Sequence, residues 1–248
     1  MKGLSASLMD GVVRGPHGNS DVDLVELVSR FILIGPPGSG KGTQGQVLAQ
    51  ALRVPHIATG DLIREVVQSG SENGKKFKAL IDNGRFISDE DVVTIVNERL
   101  EQPDGVRGYI LDGFPRSVAQ AELFSHTAPG LALDRAISLL VPEAEIIDRL
   151  GGRLTCLACG ASYHLHYRPS KVDGVCDECG EKLVRRADDE PDSIRQRLSI
   201  YENKTAPLIE FYRKSDKLIE IDATGTTDEI FGRLINHLKF DVTKKRIR

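Results

Sequence analysis

Apolar residues recur along this chain in two alternating periods. Phe31-Ile32-Leu33-Ile34 is a short β-branched and aromatic run that stops at Gly35, and from Gly42 to Leu52 the apolar positions fall at helical spacing. The pattern predicts strand, glycine loop, helix. Ile63 to Gly84 has helical spacing with breaks at Gly70 and Gly74, and Asp89 to Leu100 reads as a further helix capped by Ser88. Tyr109-Ile110-Leu111 is an apolar strand ending in Asp112, Val118 to His126 is helical, and Arg135 to Val141 is another buried strand. Pro142 then opens a helix from Glu143 to about Leu150. Periodicity fades over 154–185 and resumes from Ser193 to Tyr212, with a last strand at Leu218 to Asp222 and a last helix at Asp228 to Leu238. Strands alternating with helices predict an α/β fold whose parallel sheet is covered on both faces, interrupted by a small inserted domain.

Composition narrows the function classes. The 248 residues are 40% hydrophobic, enough to bury a core without staples. A formal net charge of -3 provides no overall basic field, which argues against nucleic acid or anionic membrane as a partner. Zero Trp and 5% aromatic residues also disfavour a base-stacking surface. No apolar stretch approaches the roughly 20 residues that cross a bilayer, so the expected location is the cytoplasm. Residues 1–30 read as a partly disordered N-terminal extension with a short helix at Val22 to Val28. Their acidic residues are unlike a transit peptide, although mitochondrial or other organelle targeting stays open. Residues 243–248 read as a basic tail.

The glycine loop carries the strongest chemistry. Gly35-Pro36-Pro37-Gly38-Ser39-Gly40-Lys41-Gly42-Thr43 puts glycines where backbone N–H groups must turn inward around an anion, followed by a lysine and a helix N-terminus. The general phosphate-loop pattern has Ser or Thr directly after the lysine. Here Gly42 stands there, and the hydroxyl comes one place later at Thr43.

Thr59-Gly60-Asp61 followed by Arg64 reads as a helix N-cap with a guanidinium one turn on, a place for a single phosphate or simply an ordinary capped helix. Asp112 ends a strand at the sheet edge where α/β ligands bind, able to accept from a Mg²⁺-associated water or to cap the next turn. Arg149 and Arg153 are four apart, which would put them on one helical face, although Gly151-Gly152 points to a helix end. Arg186 and Arg197 flank a helix start at Asp189-Glu190-Pro191, and Asp188 and Asp189 could anchor them. Cys156-x2-Cys159 and Cys176-x2-Cys179, each followed by a glycine, form a structural zinc pattern. Two disulfides, iron, or a ligand from His164 or His166 remain alternatives.

The three motifs Gly35 to Gln44, Thr59-Gly60-Asp61-x-x-Arg64 and Asp112-Gly113-Phe114-Pro115-Arg116, in this order, resemble the adenylate kinase family over residues 31 to 240. That resemblance implies a P-loop NTPase fold with a five-stranded parallel sheet. Its core would span 31–150 and 187–242, with an acceptor-binding helical insertion at 58–87 and a zinc-bound lid at 151–186. It implies a monomer that moves a phosphoryl group from ATP to AMP with Mg²⁺, giving two ADP.

By the same resemblance Gly38, Ser39, Gly40, Lys41, Gly42 and Thr43 wrap the ATP phosphates, and Thr43 and Asp112 hold Mg²⁺ through water. Arg149 stacks on the ATP adenine, Gly225 offers it backbone, and Ser162 and Tyr163 lie on the lid's ATP-facing edge. Thr59, Arg64, Arg85, Phe86 and Ile87 line the AMP site, with Arg85 where the family often has Lys. Gly113, Phe114, Pro115 and Arg116 reach the AMP phosphate, and Gln120 reads the adenine edge. Lys41, Arg116, Arg153, Arg186 and Arg197 would be catalytic, the last three converging on the phosphates. A GTP:AMP phosphotransferase is the near alternative, and a zinc-ribbon nucleic-acid-binding regulatory NTPase the distant one.

Overall fold

The computed structural model of the chain describes residues 29–83, 87–185 and 189–246, with side chains as far as 238. In order run β1 (Ser29–Ile34), α1 (Lys41–Leu52), β2 (His56–Ala58), α2 (Thr59–Gln68), α3 (Glu72–Asp82), α4 (Asp89–Leu100), β3 (Gly108–Asp112), α5 (Val118–Thr127) and β4 (Arg135–Leu140). Then follow α6 (Glu143–Gly151), β5 (Arg153–Cys156), β6 (Ser162–His164), β7 (Leu183–Val184), α7 (Pro191–Ile200), α8 (Pro207–Lys214), β8 (Leu218–Asp222) and α9 (Thr227–Arg246). None of the described helices is long and apolar enough to cross a membrane.

Five strands pair in parallel in the order β2-β3-β1-β4-β8. The period of two in β1 sorts its side chains onto opposite faces. Ile32 and Ile34 pack with Tyr109, Leu111, Val96, Phe124 and Leu208 beneath α4, α5 and α8. Phe31 and Leu33 pack with Leu48, Leu52, Ile110, Ile137 and Leu234 beneath α1 and α9. Tyr109, Ile110 and Leu111 are wholly buried, which is why β3 reads as a continuous apolar run, and burial of each is worth roughly 1.5–3 kcal/mol. The order also puts the phosphate loop after β1 beside Asp112 at the end of β3. Ligands bind at such a crossover, where the chain leaves a central strand to opposite sides.

Several boundaries differ from the sequence reading, each for a local reason. β1 begins at Ser29, inside the expected extension, because Ser29 pairs with Gly108 and the Arg30 N–H donates to Asp134 Oδ2 at 3.0 Å. Gly74 does not break its helix. Ser71 caps α3 by accepting the Gly74 N–H at 3.1 Å, and a Cβ at Gly74 would collide with the Val66 carbonyl, so glycine lets α3 lie against α2. The stretch Ser193 to Tyr212 is helical as its spacing predicts, but not α-helical throughout. Pro207 lacks an N–H, and the chain widens into a π-helical turn at Tyr201–Thr205 closed by Ala206 N–H to the Tyr201 carbonyl at 2.8 Å. α9 continues past Leu238 to Arg246, into the residues expected as a separate tail.

Residues 154–185 form a three-stranded antiparallel sheet in the order β6-β5-β7. The helix expected at 22–28, and Arg85, Phe86, Arg186 and Asp188, lie outside the described residues.

Candidate active site

The loop between β1 and α1 depends on two glycines. Gly38 has φ 82°, and a Cβ there would sit 2.9 Å from Leu150 Cγ and 3.1 Å from the Ile146 carbonyl, so only glycine lets the loop rest against α6. Gly40, at φ 89°, is the N-cap of α1, and no side chain caps the first amides of that helix. Those unsatisfied N–H groups and the helix dipole favour an anion at this point.

Lys41 Nζ donates to the Gly35 carbonyl at 2.7 Å and the Pro36 carbonyl at 2.9 Å, so it lies back across the loop it would share with a phosphate. Burial pushes its ammonium down to about 8, and nearby Arg116, Arg197 and Arg153 add to the fall while Asp112 opposes it. Three guanidiniums and a carboxylate from three distant segments therefore act on one ammonium. At Gly42 a Cβ would lie 3.4 Å from Asp112 Oδ2, so the position where other phosphate loops carry a hydroxyl faces this carboxylate.

Burial alone would raise the Asp112 carboxyl, but His56, Lys41 and Arg116 hold it below the usual carboxylate range. His56 Nε2 is 3.8 Å from Asp112 Oδ2, beyond hydrogen-bond length, and is a buried nitrogen without a hydrogen-bond partner among the described residues. Thr59 differs from its reading as an N-cap. Ala58 holds the cap position of α2, and the Thr59 hydroxyl donates to the Asp112 carbonyl at 3.3 Å. Pairing of β2 with β3 sets Ala58 opposite Asp112 and so brings that carbonyl within reach.

Arg149 and Arg153 do not share a helical face, because α6 ends at Gly151 and Arg153 opens β5. Arg149 donates to the Ala223 carbonyl at 2.8 Å and pairs with Glu145, which ties α6 to the loop carrying Gly225. A Cβ on Gly40 would meet only Arg149 Nη1, at 3.9 Å, so this guanidinium lies over the phosphate loop. Arg153 Nε donates to Asp189 Oδ2 at 2.7 Å, its Nη2 pairs with Asp189 Oδ1, and Arg197 Nη1 donates to the same Oδ1 at 2.9 Å.

On the opposite side, Gly113 turns at φ 79° and Arg116 Nε donates to its carbonyl at 2.9 Å. The Arg116 carbonyl in turn accepts the Thr205 hydroxyl at 2.9 Å. Phe114 is buried in the core, edge-on to Phe124, and so can offer a ligand only backbone. Gln120 is buried beside the Arg116 backbone. Ile87 packs against the core. Arg64 is exposed and pairs with Asp61 across Gly60.

In the lid the sulfurs of Cys156, Cys159, Cys176 and Cys179 all lie within 4.8 Å of one another. The closest approaches, Cys156 to Cys179 at 3.4 Å and Cys159 to Cys176 at 3.5 Å, are far from the ~2.05 Å of a disulfide. The Tyr163 ring is buried with Cys156, Cys176 and Leu183, and its hydroxyl lies 3.5 Å from Cys176 Sγ and accepts the Asp177 N–H at 2.8 Å. Its phenol is thus committed to the lid interior, and only its backbone and Ser162 can face a nucleotide. His164 is no ligand in this cluster. Its Nδ1 accepts the N–H groups of His166 and Tyr167 at 3.0 and 3.1 Å.

His56 was not legible as a site residue, since it stands in no motif and meets Asp112 only through tertiary packing. The adenylate kinase family model matches residues 33–217. The chain is 43% identical over 211 residues to the adenylate kinase of Lachnospira eligens, covering 84% of this chain and 99% of that one. It is 47% identical over 206 residues to the adenylate kinase of Archaeoglobus fulgidus, covering 82% and 95%. Against the Acetivibrio thermocellus adenylate kinase the identity is 44% over 211 residues, covering 84% and 97%. With the phosphate loop, the strand-end aspartate and the arginines converging beside Lys41, the chain belongs to the adenylate kinase family, a group of nucleoside monophosphate kinases.

Proposed function

We propose that this chain catalyses the reversible transfer of the terminal phosphoryl group of ATP to AMP, giving two ADP. The observation that carries the reading is the set of charges acting on Lys41: Asp112, Arg116, Arg197 and Arg153, each from a different element or loop. Phosphoryl transfer leaves the protein little covalent work, so fixed cations around the transferring oxygens are what the chemistry needs.

Gly38 to Thr43 with Lys41 would hold the donor phosphates, Arg149 and Gly225 would meet the donor base, and Ser162 and the Tyr163 backbone would line the lid's ATP-facing edge. Thr59, Arg64, Arg85, Phe86, Ile87, the Gly113 to Arg116 turn and Gln120 would form the acceptor site. Arg116, Arg153, Arg186 and Arg197 would neutralise charge between the two nucleotides. We read the enzyme as a cytoplasmic monomer.

Asp112, kept ionised and facing the glycine after Lys41, fits a Mg²⁺-bound water, a role that Thr43 would share. Bound with the triphosphate there, Mg²⁺ would neutralise phosphate charge during the transfer. The four thiols fit Zn²⁺, since Zn–S bonds of about 2.3 Å put tetrahedral sulfurs ~3.8 Å apart. Four thiolates leave no open position, so that metal would hold the lid together and take no part in the transfer.

The test is ADP formation from ATP with AMP, GMP, CMP and UMP in turn, followed by GTP and ITP as donors with AMP. We expect AMP to be the preferred acceptor and ATP the preferred donor. A triphosphatase activity indifferent to every monophosphate would overturn the reading.

A further inference from the structure

Gln120 has both ends of its amide engaged before any ligand arrives. Oε1 accepts the Arg116 backbone N–H at 2.7 Å, and Nε2 donates to Asp89 Oδ1 at 2.7 Å. Asp89 is itself steadied at Oδ2 by the Ser117 hydroxyl at 3.4 Å, and the same hydroxyl accepts the Gln120 N–H at 3.1 Å. A backbone N–H can only donate and a carboxylate can only accept, so these two partners force one orientation of the amide. Turning it over would set Oε1 against the carboxylate and Nε2 against the Arg116 N–H, leaving two mispaired polar contacts at a buried residue.

The locked amide keeps one Nε2 hydrogen and one Oε1 lone pair for a ligand. Adenine presents a donor at N6 and an acceptor at N1, which that amide can meet without rotating. Hypoxanthine and guanine present the reverse, an acceptor at O6 and a donor at N1. They would require the orientation that Asp89 forbids. We propose that Asp89 is a positioning residue that sets base selectivity at the acceptor site by locking Gln120. The inference rests on the proposed placing of Gln120 against the acceptor base, and it adds the group that decides which edge Gln120 reads.

The discriminating pair of acceptors is AMP and IMP, which differ at the base only in this donor and acceptor order. Asp89→Asn is nearly isosteric and keeps Ser88 as the cap of α4, but its amide can donate as well as accept, so a turned Gln120 then mispairs only with the Arg116 N–H and the penalty for turning is reduced. The expected result is that the ratio of kcat/KM for AMP over IMP falls about tenfold or more, with the KM for ATP and the melting midpoint unchanged. Calorimetric dissociation constants for AMP and IMP alone should move in the same ratio, which gives a reading independent of turnover. An active Asp89→Asn variant with the wild-type ratio would overturn the role of Asp89 and leave the proposed reaction standing. If the wild-type protein made no ADP from ATP and AMP, the proposed reaction and this inference would both fall.

Discussion

Asp189 accepts hydrogen bonds from Arg153 and Arg197 on a single carboxylate whose side chain is 3% exposed. Two guanidiniums, one opening the first lid strand and one on α7, are thereby held near Lys41 against their mutual repulsion. Such a fixed arrangement stabilises developing charge without reorganising during the reaction. Asp189→Asn should lower kcat about 100-fold with a smaller effect on either KM. It should also lower the melting midpoint, because breaking a buried ion pair costs up to about 3–5 kcal/mol. Steady-state kinetics and a melt check both, and wild-type kcat would contradict the role.

Lys41→Ala should reduce kcat by about 10²–10³-fold without lowering the melting midpoint near neutral pH. The reason is that Lys41 is protonated there in a site that disfavours its charge. With a folded value of about 8 against an ordinary 10.5, the folded chain binds fewer protons than the unfolded one between those limits. This lysine's contribution to stability therefore rises with pH across that window. A variant melting well below wild type at pH 7 would contradict this account.

Activity should show the opposite trend with pH. kcat/KM for the donor nucleotide reports the free enzyme and should decline above about pH 8 as Lys41 loses its proton. Lys41→Arg, whatever its rate, should lack that decline because a guanidinium stays charged. The same break in Lys41→Arg would assign it to another group.

Gly38→Ala should weaken donor binding more than tenfold and destabilise the chain by about 1–3 kcal/mol. The positive φ is unfavourable for alanine, and the added carbon would press on Leu150 and the Ile146 carbonyl. Unchanged donor affinity, measured by calorimetry, would show that the loop has room to shift.

Removing metal with a chelator, or Cys156→Ser, should lower the melting midpoint by on the order of 10 °C. The lid's only buried cluster is Cys156, Tyr163, Cys176 and Leu183 among the described residues, too small to hold three short strands unaided. An unchanged melt after verified metal loss would contradict the structural role.

The local features were legible in the sequence and the convergent ones were not. The phosphate loop could be read because Gly38, Gly40 and Lys41 act within a few residues of one another. β3 could be read because a strand buried on both faces is apolar almost throughout. Arg149 and Arg153 were paired by helical spacing, but the helix ends at Gly151, and Arg153 instead meets Arg197 through Asp189. Thr59 resembled a cap, yet its hydroxyl goes to the Asp112 carbonyl, an alternative created by strand pairing. The Tyr163 phenol lies inside the lid against Cys176, a contact that its position in the sequence does not encode. Each of these outcomes depends on a partner distant in sequence, which neither periodicity nor spacing encodes.

The most direct test supplies ADP and Mg²⁺ alone to the metal-replete protein and follows phosphorus resonances. Two bound nucleotides meeting end to end predict that ATP and AMP appear together in equal amounts, with no inorganic phosphate. Release of phosphate, or ADP left unchanged, would contradict the account.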